Sequence, residues 1–288
     1  MNAPHIGSFL RGILDSVEEE IAAARRNTPE ADLQRRIADT PPVRSFRDAL
    51  SGDFGLIAEV KKRSPSLGEM RAENYERAVA AYHESSIVRA LSVLTNHSHF
   101  GMNIENLWRI KQQTGKPILR KEFIVSEYQV LEARAWGADA ILLMANILSA
   151  EQLLQLGTLA KSLGLGVLYE SHTRTEIDRI PRDIAECWGI NCRKLDSKNP
   201  FRHYKLSQLW SKLTGGIKDF SIEDKPLELI GELPREAVVK VAESGITPVK
   251  IAAVRDRGFN AALVGNCLLL APDGVDGMLQ RFAEALCV

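Results

Sequence analysis

Cysteine is scarce in this 288-residue chain, and the four present (Cys187, Cys192, Cys267, Cys287) are scattered with no CxxC pair. That excludes a disulfide scaffold and a thiolate zinc site, and it points to a reduced, cytoplasmic setting. An excess of either charge is missing too. Lys+Arg and Asp+Glu stand at 37 each, so no overall field draws nucleic acid or an anionic membrane. No apolar run approaches the roughly 18 residues a membrane span needs. The opening Met1-Asn2-Ala3-Pro4-His5 lacks the basic start and apolar core of a signal peptide. A glycine-rich turn after a strand is absent as well. Gly164-Leu165-Gly166 precedes a strand and is no dinucleotide fingerprint. His97-x-His99 finds no third ligand at sensible spacing, so no metal is expected. Neither a Ser-His-Asp constellation nor a GxSxG elbow stands out.

What remains is a chain with 45% hydrophobic and 26% charged residues, enough for a sizeable core. Leu10, Ile13, Leu14, Val17, Ile21 and Ala24 recur at helical spacing. Thr28-Pro29-Glu30 starts a second helix that Pro41-Pro42 closes, and Arg44 to Leu50 gives one more short turn. From Leu56 onward, apolar runs alternate with helical patterns. The runs are Leu56–Lys61, Ala90–Thr95, Pro117–Phe123, Ala138–Met144, Gly166–Glu170, Cys187–Cys192, Val238–Glu243 and Ala261–Gly265. Near-continuous apolar strands suit a parallel sheet covered on both faces. Eight such runs with helices between them predict an α/β fold, a (β/α)8 TIM barrel with an N-terminal helical extension. A doubly wound open sheet is the alternative. The expected division is 1–50 for the extension and 51–288 for the barrel, with an insertion within about 198–236 whose role is not written in the sequence.

Chemistry in a barrel sits at the C-terminal strand ends. Ile57, Glu59 and Lys61 share one face of the first strand, while Ala58 and Val60 share the other. Ser64-Pro65-Ser66 then stops it. On its own this segment also reads as an edge strand with a wet face. The other strands add to it at equivalent positions. Lys121 is in phase with Leu119 and Phe123, Glu170 with Leu168, Glu243 with Val239 and Val241, and Asn191 and Arg193 close the sixth strand. Any one of these alone is an ordinary structural charge. Several buried at one rim would cost several kcal/mol each unless they pair or meet a ligand. The last two strands end in Ser244-Gly245 and Gly265-Asn266, where loops of such barrels hold phosphate. Phe100, Phe123, Leu142 and Met144 could line a pocket for a flat aromatic group, though each is individually a plausible core residue.

Six motifs in order carry a resemblance to a known family. They are Ala58–Ser66 (AEVKKRSPS), Ser92-Val93-Leu94-Thr95, Leu119-Arg120-Lys121-Glu122-Phe123, Gly137–Leu143 (GADAILL), Gly189-Ile190-Asn191-Cys192-Arg193 and Glu243-Ser244-Gly245-Ile246. Together the chain resembles indole-3-glycerol phosphate synthases from about Leu10 to Leu286, the insertion excepted. The resemblance implies closure of the indole ring of tryptophan from 1-(2-carboxyphenylamino)-1-deoxyribulose 5-phosphate. Carbon dioxide and water leave, and no cofactor is used. It implies Lys121 as general acid, Glu170 and Glu59 for dehydration and deprotonation, Lys61 as their assistant, and Asn191 to hold the array. Arg193, Ser64 and Glu243 would position substrate. Ser244, Gly245, Gly265 and Asn266 would cradle phosphate, and the four apolar residues would enclose the anthranilate ring. From the residues themselves, a lysine whose pKa is lowered by neighbouring cations can serve as the acid.

The chain departs from the family at the rim. Lys121-Glu122-Phe123 stands for Lys-Asp-Phe, Phe100-Gly101-Met102-Asn103 for Phe-x-Gly-Ser, and Cys192-Arg193-Lys194-Leu195 for Asn-Arg-Asn-Leu. Two alternatives follow: a divergent paralogue acting on a substituted anthranilate, or a pseudo-enzyme that binds sugar phosphate. A protein partner is not specified by the sequence.

Overall fold

The computed structural model describes residues 7–193, 205, 219 and 222–287. Eight parallel strands close into a barrel: β1 (Gly55–Val60), β2 (Val88–Leu94), β3 (Ile118–Lys121), β4 (Ala140–Met144), β5 (Gly166–Ser171), β6 (Cys187–Asn191), β7 (Val239–Glu243) and β8 (Ala261–Val264). Each pairs with the next in sequence, and β8 returns to β1. All eight expected runs form strands, with ends moved by no more than two residues. The open sheet is thereby excluded. β1 and β4 are buried along their whole length, because helices cover the outside and side chains fill the inside. Register fixes the rim. Glu59 lies opposite Ser92, Leu94 opposite Lys121, Met144 opposite Glu170, and Asn191 opposite Glu243.

The outer layer includes helices Ala72–Glu84, Glu105–Lys111, Glu127–Ala135, Ala150–Ser162, Pro248–Asp256 and Gly274–Leu286. Local chemistry sets their ends. Ser149 Oγ accepts from the Gln152 N–H at 3.2 Å while Gln152 Oε1 accepts from the Ser149 N–H at 2.9 Å, a reciprocal cap that starts Ala150–Ser162. Among the described residues, three helices precede β1: α1 (Ser8–Asn27), α2 (Glu30–Asp39) and α3 (Phe46–Leu50). Leu10, Ile13 and Val17 of α1 enter the main core, whereas Leu33 of α2 joins Tyr128 and Ala135 in a small separate cluster. Arg36 locks α2 down. Its Nε donates to the Ala135 carbonyl at 2.8 Å and its guanidinium lies 3.6 Å from the Trp136 ring centroid.

At the base of the barrel, Asp139 gathers three donors just before β4. Lys111 Nζ reaches its Oδ1 at 2.5 Å, the Arg44 N–H the same oxygen at 2.7 Å, and the Ile118 N–H its Oδ2 at 2.8 Å. Much of the insertion expected within about 198–236 lies outside the described residues, as do Lys194 and Leu195. Inside it, Lys225–Glu232 is a 3₁₀ turn whose Leu227 is buried in the core. Among the described residues no helix is long and apolar enough to cross a membrane.

Candidate active site

A cavity of about 560 Å³ opens at the C-terminal ends of the strands. Of the residues singled out from sequence, Glu59, Lys61, Lys121, Glu170 and Asn191 line it, as do Ser64, Phe100, Phe123, Leu142, Met144, Arg193, Ser244, Gly245, Gly265 and Asn266. Glu243 alone does not. It is buried behind Lys121 and reaches the cavity through that lysine.

Two buried lysine–glutamate clusters among the described residues shape the electrostatics. In the first, Lys61 Nζ donates to Glu59 Oε1 at 2.5 Å, two residues apart on one face of β1, with both side chains buried. Burial lowers the Lys61 pKa, Arg193 adds to the lowering, and Glu59 offsets only part of it. Burial works to raise Glu59, but Lys61, Lys121 and Arg193 outweigh it and hold the carboxyl below its ordinary value. In the second cluster, Lys121 Nζ bridges Glu170 Oε2 at 3.1 Å and Glu243 Oε2 at 3.3 Å. The expectation of a cation-lowered lysine fails here. Burial does press Lys121 down, yet Glu170, Glu243 and Glu59 overcome it and hold the ammonium protonated well above its usual range. The lysine lowered by burial and neighbouring cations is Lys61.

Glu170 and Glu243 titrate as one unit. Burial and the facing carboxylate push Glu243 up, although Lys121 resists. For Glu170 burial is outweighed by Lys121 and His172, which hold it down. Glycines make room for this crowding. A Cβ on Gly189 would stand 2.1 Å from Glu243 Oε1, and one on Gly265 would stand 2.2 Å from Glu59 Oε1. Gly265 thus clears space for a carboxylate as well as ending β8.

Arg193 and Asn191 are tied together, since Asn191 Oδ1 accepts from the Arg193 N–H at 2.8 Å. The guanidinium Nη1 donates to Asp219 Oδ2 and to Ser66 Oγ, both at 2.9 Å, and Ser66 Oγ donates to the same aspartate oxygen. Glu122 turns its carboxylate away from its neighbour Lys121. Thr95 Oγ1 donates to Glu122 Oε2 at 2.7 Å and the Phe123 N–H to Oε1 at 2.9 Å. After β7 the backbone enters the left-handed region at Ser244 (φ 68°) and Gly245 (φ 71°), which turns the chain into helix Pro248–Asp256. Ile13 of α1 completes the apolar wall.

Sequence reasoning missed Ser66, Asp219 and His172. His172 follows Glu170 by two, so strand alternation carried a signal for it, whereas Ser66 lies in the turn past the end of β1, where alternation no longer applies. Nothing near Asp219 announces that it will meet Arg193, 26 residues earlier.

A model of the indole-3-glycerol phosphate synthase family matches residues 10–201. The chain is 34% identical over 271 residues to an indole-3-glycerol phosphate synthase of Neisseria meningitidis serogroup B, covering 92% of this chain and 95% of that protein. It is also 34% identical to one from Laribacter hongkongensis, covering 96% of this chain and all of the relative (100%). In fold alone it resembles 3-hexulose-6-phosphate synthase from Salmonella typhimurium, with TM-score 0.56, 13% identity, and coverage of 81% and 98% of the two chains.

Proposed function

Because this chain belongs to the indole-3-glycerol phosphate synthase family, we propose that the mouth of its barrel converts 1-(2-carboxyphenylamino)-1-deoxyribulose 5-phosphate into indole-3-glycerol phosphate, as a carboxy-lyase of tryptophan biosynthesis. One observation carries the assignment of roles: a lysine held cationic between two buried carboxylates, in the same cavity as a second lysine–glutamate pair.

Ring closure joins the aromatic carbon that bears the carboxylate to the sugar ketone. Charge builds on the ketone oxygen, and Lys121 delivers a proton there. Its high affinity for that proton is suited to an alkoxide, which is more basic still. Closure leaves an iminium, the electron sink into which the carboxylate's electrons fall as carbon dioxide departs. That accounts for the absence of a cofactor in the scheme. Loss of the new hydroxyl then needs an acid, and restoring aromaticity needs a base. Glu170 and Glu59 share these steps: both rest ionised and so can take up a proton directly, while the proton for the departing hydroxyl passes from Lys61 through its contact with Glu59. Lys61 also orients substrate and tunes Glu59. Asn191 fixes the backbone that carries Arg193.

Binding follows from the same surfaces. Phe100, Phe123, Leu142 and Met144 sandwich the anthranilate ring. Arg193, with Ser64, meets the substrate's anionic end, which competes with Asp219 for the guanidinium. Glu243 acts from behind, by keeping Lys121 charged. Ser244, Gly245, Gly265 and Asn266 take the phosphate, helped by the N-terminus of the nine-residue helix Pro248–Asp256. The partner of this site is a small sugar phosphate. Four free thiols support a cytoplasmic location.

The test is a fluorescence assay for indole product with the purified chain and the unsubstituted substrate. Steady turnover supports the reading, and no turnover with intact substrate binding overturns it.

A further inference from the structure

Among the buried polar atoms that have no hydrogen-bond partner, Glu170 Oε1 and His172 Nε2 face each other at 3.8 Å. On the far side of the ring, His172 Nδ1 stands 3.3 Å from Glu176 Oε2, and the same oxygen accepts the His172 backbone N–H at 2.6 Å. Glu176 is itself placed by the short helix Arg174–Ile177, whose N-cap Thr173 Oγ1 accepts the Glu176 N–H at 3.3 Å. The imidazole is therefore strung between two carboxylates. A neutral ring has one N–H and can serve one of them. A protonated ring has two and can serve both.

We propose that His172, gripped by Glu176, is a positioning residue that stays protonated in the working protein and fixes the negative charge on Glu170, so that the proton shared by the carboxylate pair rests on Glu243. The proposal builds on the assignment of Glu170 as an acid/base group in the preceding subsection.

The surroundings support it. Glu170 is faced by Lys121 from β3, Glu243 from β7 and His172 from its own loop. Its register partners on β4 and β6, Met144 and Gly189, bring no charge. His172 is faced by Glu170 and Glu176, with Lys121 the opposing cation. The arginines that follow are spent elsewhere: Arg174 on Asp178 and Glu232, and Arg179 on the Ala145 carbonyl. Burial disfavours a charged ring, but Glu176 and Glu170 outweigh it and raise the His172 pKa above its ordinary value. Lys121 alone cannot settle which acid is ionised, because it touches both at nearly equal distance. His172 contacts only Glu170 of the pair, and so breaks the tie.

Removing a cation beside Glu170 must raise the pH at which that carboxyl ionises. His172→Asn is expected to move the acid limb of the kcat–pH profile up by about one unit. Turnover then falls about tenfold below the limb and far less above it. Glu176→Gln should shift the limb the same way by less, and the double variant no further than His172→Asn alone. A limb that stays put in both variants while turnover falls evenly across pH overturns the proposal. A second readout needs no turnover: NMR titration of the His172 ring in the full ligand-free chain. Protonation persisting past pH 7, and lost earlier in Glu176→Gln, supports the proposal. Titration at or below the ordinary histidine value overturns it. Should the wild-type chain form no indole product, the functional reading fails on its own, and the ring titration still decides this one.

Discussion

Two buried lysine–carboxylate clusters stand at opposite ends of the barrel, and they are built on opposite plans. At the base, Asp139 receives three donors, and both its oxygens are occupied. At the mouth, Lys121 is divided between Glu170 and Glu243, and one oxygen of each acid is buried without a hydrogen-bond partner. Burying a charge costs several kcal/mol unless its hydrogen bonds are replaced. The base gives both carboxylate oxygens a partner and so resists change. The mouth leaves them partly unmet, which keeps proton affinities displaced, as the proposed acid–base roles require. Charge type is the same in both places. On the proposed assignment, completeness of hydrogen bonding is what separates the structural cluster from the reactive one.

The largest effect should come from Lys121→Met. The indole-product assay is expected to show a loss of about 10²–10⁴-fold in kcat, the usual range for removing a general acid, with substrate binding largely kept. Wild-type-like turnover would erase the distinction drawn between the two ends. Asp139→Ala should do the reverse. Stranding Lys111 ought to cost about 3–5 kcal/mol in urea unfolding, while kcat per folded molecule stays near that of the parent. A matching fall in kcat would mean the base also serves catalysis. Smallest is Gly189→Ala, which sets a methyl where Glu243 Oε1 now sits. Displacing that carboxylate should lower kcat about tenfold, equivalent to about 1.4 kcal/mol in the barrier, with little change in KM. An unchanged kcat would show that Glu243 is free to relocate without consequence for Lys121.

Much of the mouth was legible because strand alternation and barrel topology together say which side chains share a rim. Glu59, Lys61, Lys121 and Glu170 needed nothing more. The direction of the Lys121 pKa was not legible. It depends on carboxylates 49 and 122 residues away, and on their distances rather than their identity. His172 was overlooked although it continues the alternation from Glu170, since a lone histidine past a strand end usually marks only a turn. Asp139 sat inside a motif quoted for its resemblance, yet its three donors come from a loop, a helix and a strand that no local pattern connects. Asp219 belongs to a stretch without periodicity, where pattern reading has no purchase.

The segment ahead of β1 touches both ends of the barrel: the Arg44 N–H grips Asp139 at the base, and Ile13 of α1 forms part of the cavity wall. It therefore acts as a strap running the height of the cylinder. Cut from the remainder and added back as a free peptide, it would have to redock before the wall is whole. Product formation would then climb with peptide concentration along a saturable curve, and the first fifty residues would become a dial for the reaction.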